Sequence, residues 1–300
     1  MENKDKLARL IKEYYTQIYS GVVPERRLKK FIKDKTDINL YSETYLKLKS
    51  IFGYFIKIDK KTKMLDIACG SGGLTLLCQR RGLDCYGVDI NRKLIEIARR
   101  MARFFNLKNK FYTSPAEKLP FPSNYFDGVI SNQTMEHVQD LDLALRECIR
   151  VLKPGGIFFL ATPDYNSFYE GHYMLPWLPR FPKRIAKLYL RILRRNPTFL
   201  DTINYITRKT VVESLKKNKV TIIDYRKMER YRKLEDPSRI KNRAKRLAAN
   251  LCQSLDLSKF LEFTIKYFSF EILRRQIELI ILKQPIKPLE TEAVKKNVIK

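Results

Sequence analysis

The sequence predicts a doubly wound α/β fold, a mostly parallel sheet with helices on both faces. Three observations predict it. Strand-length apolar runs alternate with helix-length amphipathic segments from Met64 to Ala161, the pattern of consecutive βαβ units. The first run, MLDIACGSGG at Met64–Gly73, passes into a turn with glycines at Gly70, Gly72 and Gly73, and a helix-compatible segment, Leu74–Arg81, follows. Glycine admits positive φ and close backbone approach, and a helix start behind such a turn offers free N–H groups. The next run, Asp84–Ile90, carries Asp89, 19 positions after Gly70, the interval at which nucleotide-binding doubly wound sheets place an acidic residue.

Each element follows from local pattern. Leu7, Leu10, Ile11, Tyr14, Tyr15, Ile18 and Tyr19 recur at helical spacing and make one apolar face. Tyr41–Ile56 reads as a second helix. Strands are expected at Met64–Ala68, Asp84–Asp89 and Lys110–Thr113, with helices at Gly72–Arg81 and Arg92–Phe105. Asn91 is placed to cap the latter. Strand four is Phe126–Ser131 and strand five Ile157–Ala161, with a helix at Leu141–Leu152 between them. Lys153-Pro154-Gly155-Gly156 reads as the turn that stops this helix. In such sheets ligands bind at the carboxyl ends of the strands.

The second half is less regular. Thr162–Pro182 is rich in proline and aromatics, and a basic helix over Lys183–Arg195 mixes Ile185, Leu188, Leu190, Ile192 and Leu193 with Arg and Lys. Thr207 is a fitting N-cap for Arg208–Lys217. Val220–Tyr225 reads as strand six and Ile277–Lys283 as strand seven. Between them, Asp236-Pro237 starts a basic helix with Ile240, Ala244, Leu247, Ala248 and Leu251 on one side. Such a helix roofs a pocket or lies on an anionic membrane. The chain then divides into a helical cap (1–60), a ligand-binding core (61–164), a substrate-side insertion with helices (165–219), strands six and seven with their helical insertion (220–285), and a solvated, mobile tail (286–300).

Composition sets outer bounds. With 300 residues, 44% of them hydrophobic, there is material for one large domain with an elaborated cap. The formal charge of +28 attracts phosphates, whether on RNA, an anionic membrane surface or a phosphate-bearing small molecule. Five cysteines, Cys69, Cys78, Cys85, Cys148 and Cys252, include no C-x-x-C pair. That speaks against a disulfide framework or zinc site and fits a reducing, cytoplasmic setting. No metal is expected. The first residues lack a signal-peptide core and no apolar run reaches spanning length, so any membrane association would be peripheral. Oligomeric state is not legible.

The strings DIACGSGG, GVDI, SPAEKLPFPSNYFDGVISNQTMEHV and LRECIRVLKPGGIFFLATP, in that order, resemble the class I S-adenosylmethionine-dependent methyltransferases, in flavour the branch with the ubiquinone and menaquinone enzymes. The resemblance covers about a third of the chain. It implies a seven-stranded Rossmann-like sheet with strand seven antiparallel, and S-adenosyl-L-methionine as cofactor. It also implies an N-terminal segment covering the cofactor. It assigns Asp66, Gly70 and Gly72 to the methionine end, Asp89 to the ribose and Ile90 to packing on the adenine, with Ala68 and Ser71 also in the cofactor site. Ala116 and Glu117 match positions flanking the adenine, and Asn132 lies beside the methyl-donor end. The expected function is methyl transfer to a small-molecule, lipid- or sugar-linked acceptor at oxygen. An RNA-directed methyltransferase is the alternative suggested by charge, although SNQTMEHV replaces the aromatic string of exocyclic-amine enzymes. A non-catalytic, cofactor-binding partner protein is the second.

Only two histidines exist, His137 past strand four and His172 past strand five. Adjacent strands bring both to one rim, where either could take a hydroxyl proton. Tyr165, Tyr169, Tyr173 and Trp177 are candidates to line an acceptor pocket. Glu170 is placed to orient His172 or to bind an acceptor hydroxyl.

Overall fold

The structure is a computed structural model that describes residues 4–35, 37–236, 238, 246–247, 276–284 and 297–299. Nine helices are described: α1 Lys4–Tyr19, α2 Glu25–Lys35, α3 Ser42–Phe55, α4 Gly73–Arg80, α5 Arg92–Phe104, α6 Leu141–Val151, α7 Lys183–Ile192, α8 Arg208–Lys216 and α9 Tyr225–Glu235. The strands are β1 Lys63–Ile67, β2 Asp84–Asp89, β3 Phe111–Thr113, β4 Phe126–Asn132, β5 Leu152–Pro163, β6 Tyr169–Glu170, β7 Leu175–Pro176, β8 Val220–Asp224 and β9 Gln276–Lys283.

Seven strands form one sheet in the order β3-β2-β1-β4-β5-β9-β8. β1 pairs parallel with β2 and β4, and β4 with β5. β9 runs antiparallel between β5 and β8. The doubly wound, seven-stranded expectation therefore holds, with its antiparallel strand second from the edge. β6 and β7 make a separate two-stranded hairpin. No described helix is long and apolar enough to cross a membrane.

Local chemistry explains the boundaries. Asn91 caps α5 by accepting from the N–H groups of Lys93 and Leu94, and Thr207 caps α8 in a reciprocal box with Thr210. One face of the sheet packs Leu65, Phe126, Phe158 and Leu279 against α6 and α8; the other packs Met64, Ile130 and Ile280 against α3 and α4. Ile11 of α1 joins Ile95, Met101 and Phe111, so α1 lies against α5. A fourth cluster, with Tyr173, Trp177, Leu190 and Leu200, fills the insertion after β5.

Four expectations change. Lys153–Gly156 is not a free turn. It lies inside β5, where Leu152 pairs with Phe126 and the ladder resumes at Ile157 with Gly128. The extra residues bulge, and Gly155 takes φ +74°. Helix α2, whose ERRLKKFIKDK carries few apolar residues, has no counterpart in the expected elements. The expected strand six ends one residue early because Asp224 accepts from Lys227 N–H and starts α9. In the tail, Asn297 is buried, Val298 bridges to Ile223, and Ile299 N–H donates to Ile222 at 2.8 Å; these residues are held against β8 rather than solvated. Most of the basic helix expected from Asp236 lies outside the described residues.

Candidate active site

The Gly-rich turn sits at the carboxyl end of β1, as its strand-turn-helix pattern requires. Ala68, Gly70 and Gly72 have φ of +53°, +57° and +80°. A side chain on Gly70 would meet nothing within 4 Å, so the loop there faces open space. At Gly72 a Cβ would lie 2.7 Å from the Phe111 ring, so that glycine serves packing. Gly73 lets Tyr41 close on the start of α4, where a Cβ would come within 2.2 Å of its ring.

Two carboxylates bracket the turn. Asp89 accepts from Gly70 N–H at 2.9 Å and Asn91 N–H at 2.8 Å. Burial pushes its carboxyl upward against these two bonds. Asp66 is buried and accepts from the Thr75 hydroxyl at 2.7 Å. Burial first, and the nearby Asp89 charge after it, push Asp66 up to about 7 while Thr75 holds it down. A loop between two buried carboxylates suits hydroxyls and positive charge. It disfavours a pyrophosphate, the group a dinucleotide-binding loop of similar sequence receives. These residues fit S-adenosyl-L-methionine, whose sulfonium and ammonium are cationic and whose ribose donates hydroxyls. Ile90, 64% exposed beside Asp89, leaves an apolar face for a flat base.

The N-terminal helices cover this cradle. The Tyr15 hydroxyl donates to Ser71 Oγ at 3.3 Å, and Asn91 Nδ2 donates to the Tyr14 hydroxyl at 2.8 Å. Lys35 Nζ donates to the Tyr41 hydroxyl at 3.1 Å and lies 5.7 Å from the Tyr15 ring centre. Burial, then Asp66 and Asp34, push Tyr41 up to about 12. Tyr14, Tyr15, Lys35, Tyr41 and Thr75 were absent from the sequence-derived set. The tyrosines of α1 were legible only as members of an apolar stripe. Glu117 is drawn elsewhere: its carboxylate accepts from Gln139 N–H at 2.7 Å and tethers the approach to α6. Its neighbour Ala116 is partly buried against the core. Asn132 is exposed at the end of β4, paired with Ala161.

The two histidines do converge. Their ring centres lie 5.2 Å apart, edge to face. His137 Nδ1 is 3.0 Å from the Thr202 carbonyl, and His172 Nδ1 is 2.8 Å from Glu170 Oε1. A carbonyl oxygen only accepts, so in the neutral ring of His137 the proton sits on Nδ1 and the lone pair on Nε2. Glu136, fully buried and also missed from sequence, accepts from the Thr162 hydroxyl at 2.8 Å. Its other oxygen has no hydrogen-bond partner and faces His172 Nε2 at 3.8 Å. Burial pulls the His172 imidazole down, but the Glu170 bond and the charges of Glu170 and Glu136 outweigh it and raise the ring above its ordinary value. Glu136, His137 and His172 each bring one metal-ligating atom within 4.8 Å of the others.

Glu170 therefore orients His172, and its second oxygen accepts from Tyr173 N–H at 2.6 Å. The aromatic candidates divide. Tyr173 is fully buried with its hydroxyl on the Asn196 carbonyl, Trp177 is buried beside it, and Tyr165 stacks on Tyr205 at 4.7 Å. These three are the insertion's own core, not a pocket wall: proline-rich irregular backbone cannot bury itself without large rings. Tyr169 is half-buried in the hairpin. A pocket of about 380 Å³ opens instead between α1 and α2, through Tyr19, Arg27, Lys30 and Asp34, and the hairpin turn, through His172 and Met174.

Residues 65–160 match the family model described as a methyltransferase domain. Over 135 residues the chain is 34% identical to a ubiquinone biosynthesis O-methyltransferase of Chelativorans sp., which covers 42% of this chain and 52% of that protein. A protein of the same description from Mesorhizobium japonicum is 33% identical, covering 42% and 53%. The solved PH0226 protein from Pyrococcus horikoshii OT3 is 33% identical, covers 44% of this chain and 63% of its own, and superposes with a TM-score of 0.39. The chain spans about half the length of the curated relatives it matches. Residues 65–160 are thus similar to a methyltransferase domain, as the motifs implied.

Proposed function

We propose that the chain transfers a methyl group from S-adenosyl-L-methionine to an oxygen of a small-molecule acceptor, with His137 taking the acceptor proton. The observation that carries this is the tautomer of His137. Its Nδ1–H is committed to the Thr202 carbonyl, which leaves Nε2 as a base at the rim. His172, held between Glu170 and Glu136, is the fixed partner of that base rather than a second one. The relatives' description as O-methyltransferases of ubiquinone biosynthesis supports oxygen as the methylated atom and an acceptor with a long apolar part.

The bound cofactor supplies an electrophilic methyl; the protein supplies alignment, a dry cradle and a proton acceptor. Asp89 and Ser71 are the residues proposed for the ribose and methionine ends, Ile90 for the adenine. Arg27 and Lys30 at the pocket mouth suit an acceptor that also carries a phosphate. No described feature of the site favours the RNA-directed or non-catalytic alternatives.

The test is methyl transfer from labelled cofactor into lipid-soluble acceptors bearing a free phenol, beside a thermal shift with S-adenosylhomocysteine. His137→Ala is expected to lower turnover by about 10²–10⁴-fold while the thermal shift persists. No shift in the wild type would overturn the cofactor assignment, and full turnover in the variant would overturn the base.

A further inference from the structure

Glu136, His137 and Val138, consecutive in the chain after β4, are all held by the same short segment. Asn204 N–H donates to the Glu136 carbonyl at 2.7 Å, His137 Nδ1 donates to the Thr202 carbonyl at 3.0 Å, and Asn204 Nδ2 donates to the Val138 carbonyl at 2.7 Å. A carbonyl only accepts, so the Asn204 amide presents its nitrogen to Val138. The two outer bonds grip the main chain on either side of His137, and the middle one keeps the Nδ1 proton in place. Thr202 and Asn204 lie outside the matched residues 65–160, so the grip comes from the part of the chain that follows the methyltransferase-like core.

The gripping segment is itself anchored. It leaves a 3₁₀ turn, Thr198–Thr202, in extended conformation at Ile203, with φ −106° and ψ 128°. Leu200 and Ile203 are fully buried in the core of the insertion, whereas Val138 is buried in the core of the sheet. The Asn204 bonds therefore tie two separately packed units together at the site. Phe199, from the same turn, brings its ring centre to 6.0 Å from His137 and 5.4 Å from His172. Both imidazoles thus rest against one ring of the segment that binds the loop.

His137 is exposed, so water competes for its Nδ1 proton, and a single hydrogen bond there contributes only about 0.5–1.5 kcal/mol. Which imidazole nitrogen carries the proton follows from the bond the other makes. The choice therefore depends on the Thr202 carbonyl staying within reach, and a shift of about 1 Å would carry it outside hydrogen-bond range. We infer that Asn204 is the positioning residue for His137: its main-chain N–H and side-chain amide hold Glu136 to Val138 against Thr202, and so fix the proton of the neutral ring on Nδ1 and the lone pair on Nε2. The inference rests on the reading of His137 as the base, and Asn204 acts through the imidazole rather than on the acceptor.

The experiment is nitrogen-15 NMR of the imidazoles in the full chain, in mildly alkaline buffer with no acceptor added. The chain has only two histidines, and His172→Gln assigns their signals. The wild type is expected to show His137 as a single Nδ1–H form. Asn204→Asp keeps the side-chain size but sets an acceptor against the Val138 carbonyl, and Asn204→Ser is too short to reach it. Asn204 is exposed, so neither change opens a core cavity, and circular dichroism would confirm that both variants are folded. In both, the Nδ1 and Nε2 signals of His137 should converge as the two nitrogens come to share the proton. The signals of His172, bonded to Glu170 at 2.8 Å, should stay in place. Asn218→Ala removes a similar amide-to-carbonyl bond, 3.3 Å to Ser214, and should leave His137 as in the wild type. Unchanged His137 signals in both Asn204 variants overturn the inference and leave the base reading standing. A wild-type His137 with its proton on Nε2 overturns both. Convergence in the Asn218 variant as well would mark a general loosening and overturn the positioning role.

Discussion

Asp89 and Gly70, 19 positions apart in sequence, are joined by a hydrogen bond of 2.9 Å from the Gly70 N–H to the Asp89 carboxylate. The acidic residue that the motif reserves for a ligand is therefore also the clasp that sets the loop. With its other oxygen on Asn91 N–H, it ties the end of β2 to the turn after β1.

Replacing Asp89 by Asn places an NH₂ against one of two backbone donors. The variant is expected to lose about 1–2 kcal/mol of stability in addition to its S-adenosylhomocysteine affinity. Chemical denaturation and calorimetric titration would read the two losses separately. Lost affinity with unchanged stability would show that the clasp does not hold the loop.

The glycines of the turn should separate by function. Gly70→Ala keeps a positive φ at a strain of about 1–2 kcal/mol, with open space around the new methyl, so its larger effect should be on cofactor affinity. Gly72→Ala drives a methyl into the Phe111 ring and should cost about 1–3 kcal/mol beyond the same strain. Unfolding midpoints in denaturant would rank them, and a Gly70 variant less stable than the Gly72 variant would contradict the packing.

His172 makes stability depend on pH. Its imidazole is raised above the ordinary 6.5 because Glu170 and Glu136 outweigh burial. A group raised on folding contributes stability that is complete below its unfolded value. That contribution is lost as pH climbs through the higher folded value. The melting-temperature gap between wild type and His172→Gln should therefore be widest under mildly acidic conditions and narrow as the solution becomes alkaline. Asp66, raised to about 7, acts with the same sign but is present in both proteins, so the gap isolates the histidine. Parallel melting curves across pH would refute the Glu170–His172–Glu136 arrangement.

Trp177 should behave as core. Trp177→Ala is expected to cost about 3–5 kcal/mol while leaving the affinity for S-adenosylhomocysteine unchanged. Equilibrium unfolding followed by circular dichroism would measure the first. A variant of wild-type stability with weakened acceptor binding would return this ring to the pocket wall.

The sheet was legible because its signals are local: strand-length apolar runs, the glycine turn, and caps at Asn91 and Thr207 each act within a few residues. The convergence of His137 and His172 was legible too, because strand order alone brings the ends of β4 and β5 together. Helix α2 escaped because only Leu28, Phe31 and Ile32 of ERRLKKFIKDK are apolar, a stripe too short to stand out among its charges. Glu136 escaped because a carboxylate beside a histidine reads as surface until the fold buries it. Tyr173 and Trp177 were misjudged for the opposite reason: an aromatic string in an irregular segment looks the same whether it greets a ligand or fills its own interior.

The antiparallel strand β9 has a consequence for how the chain is made. β8 is complete at Asp224, yet its hydrogen-bonding edge and that of β5 are both sealed only by Gln276–Lys283. Until that segment leaves the ribosome, the nascent sheet presents an open apolar flank, Ile157 to Ala161, with β8 unable to reach it. A nascent chain halted ahead of Gln276 should be a client for chaperones and should precipitate when expressed alone.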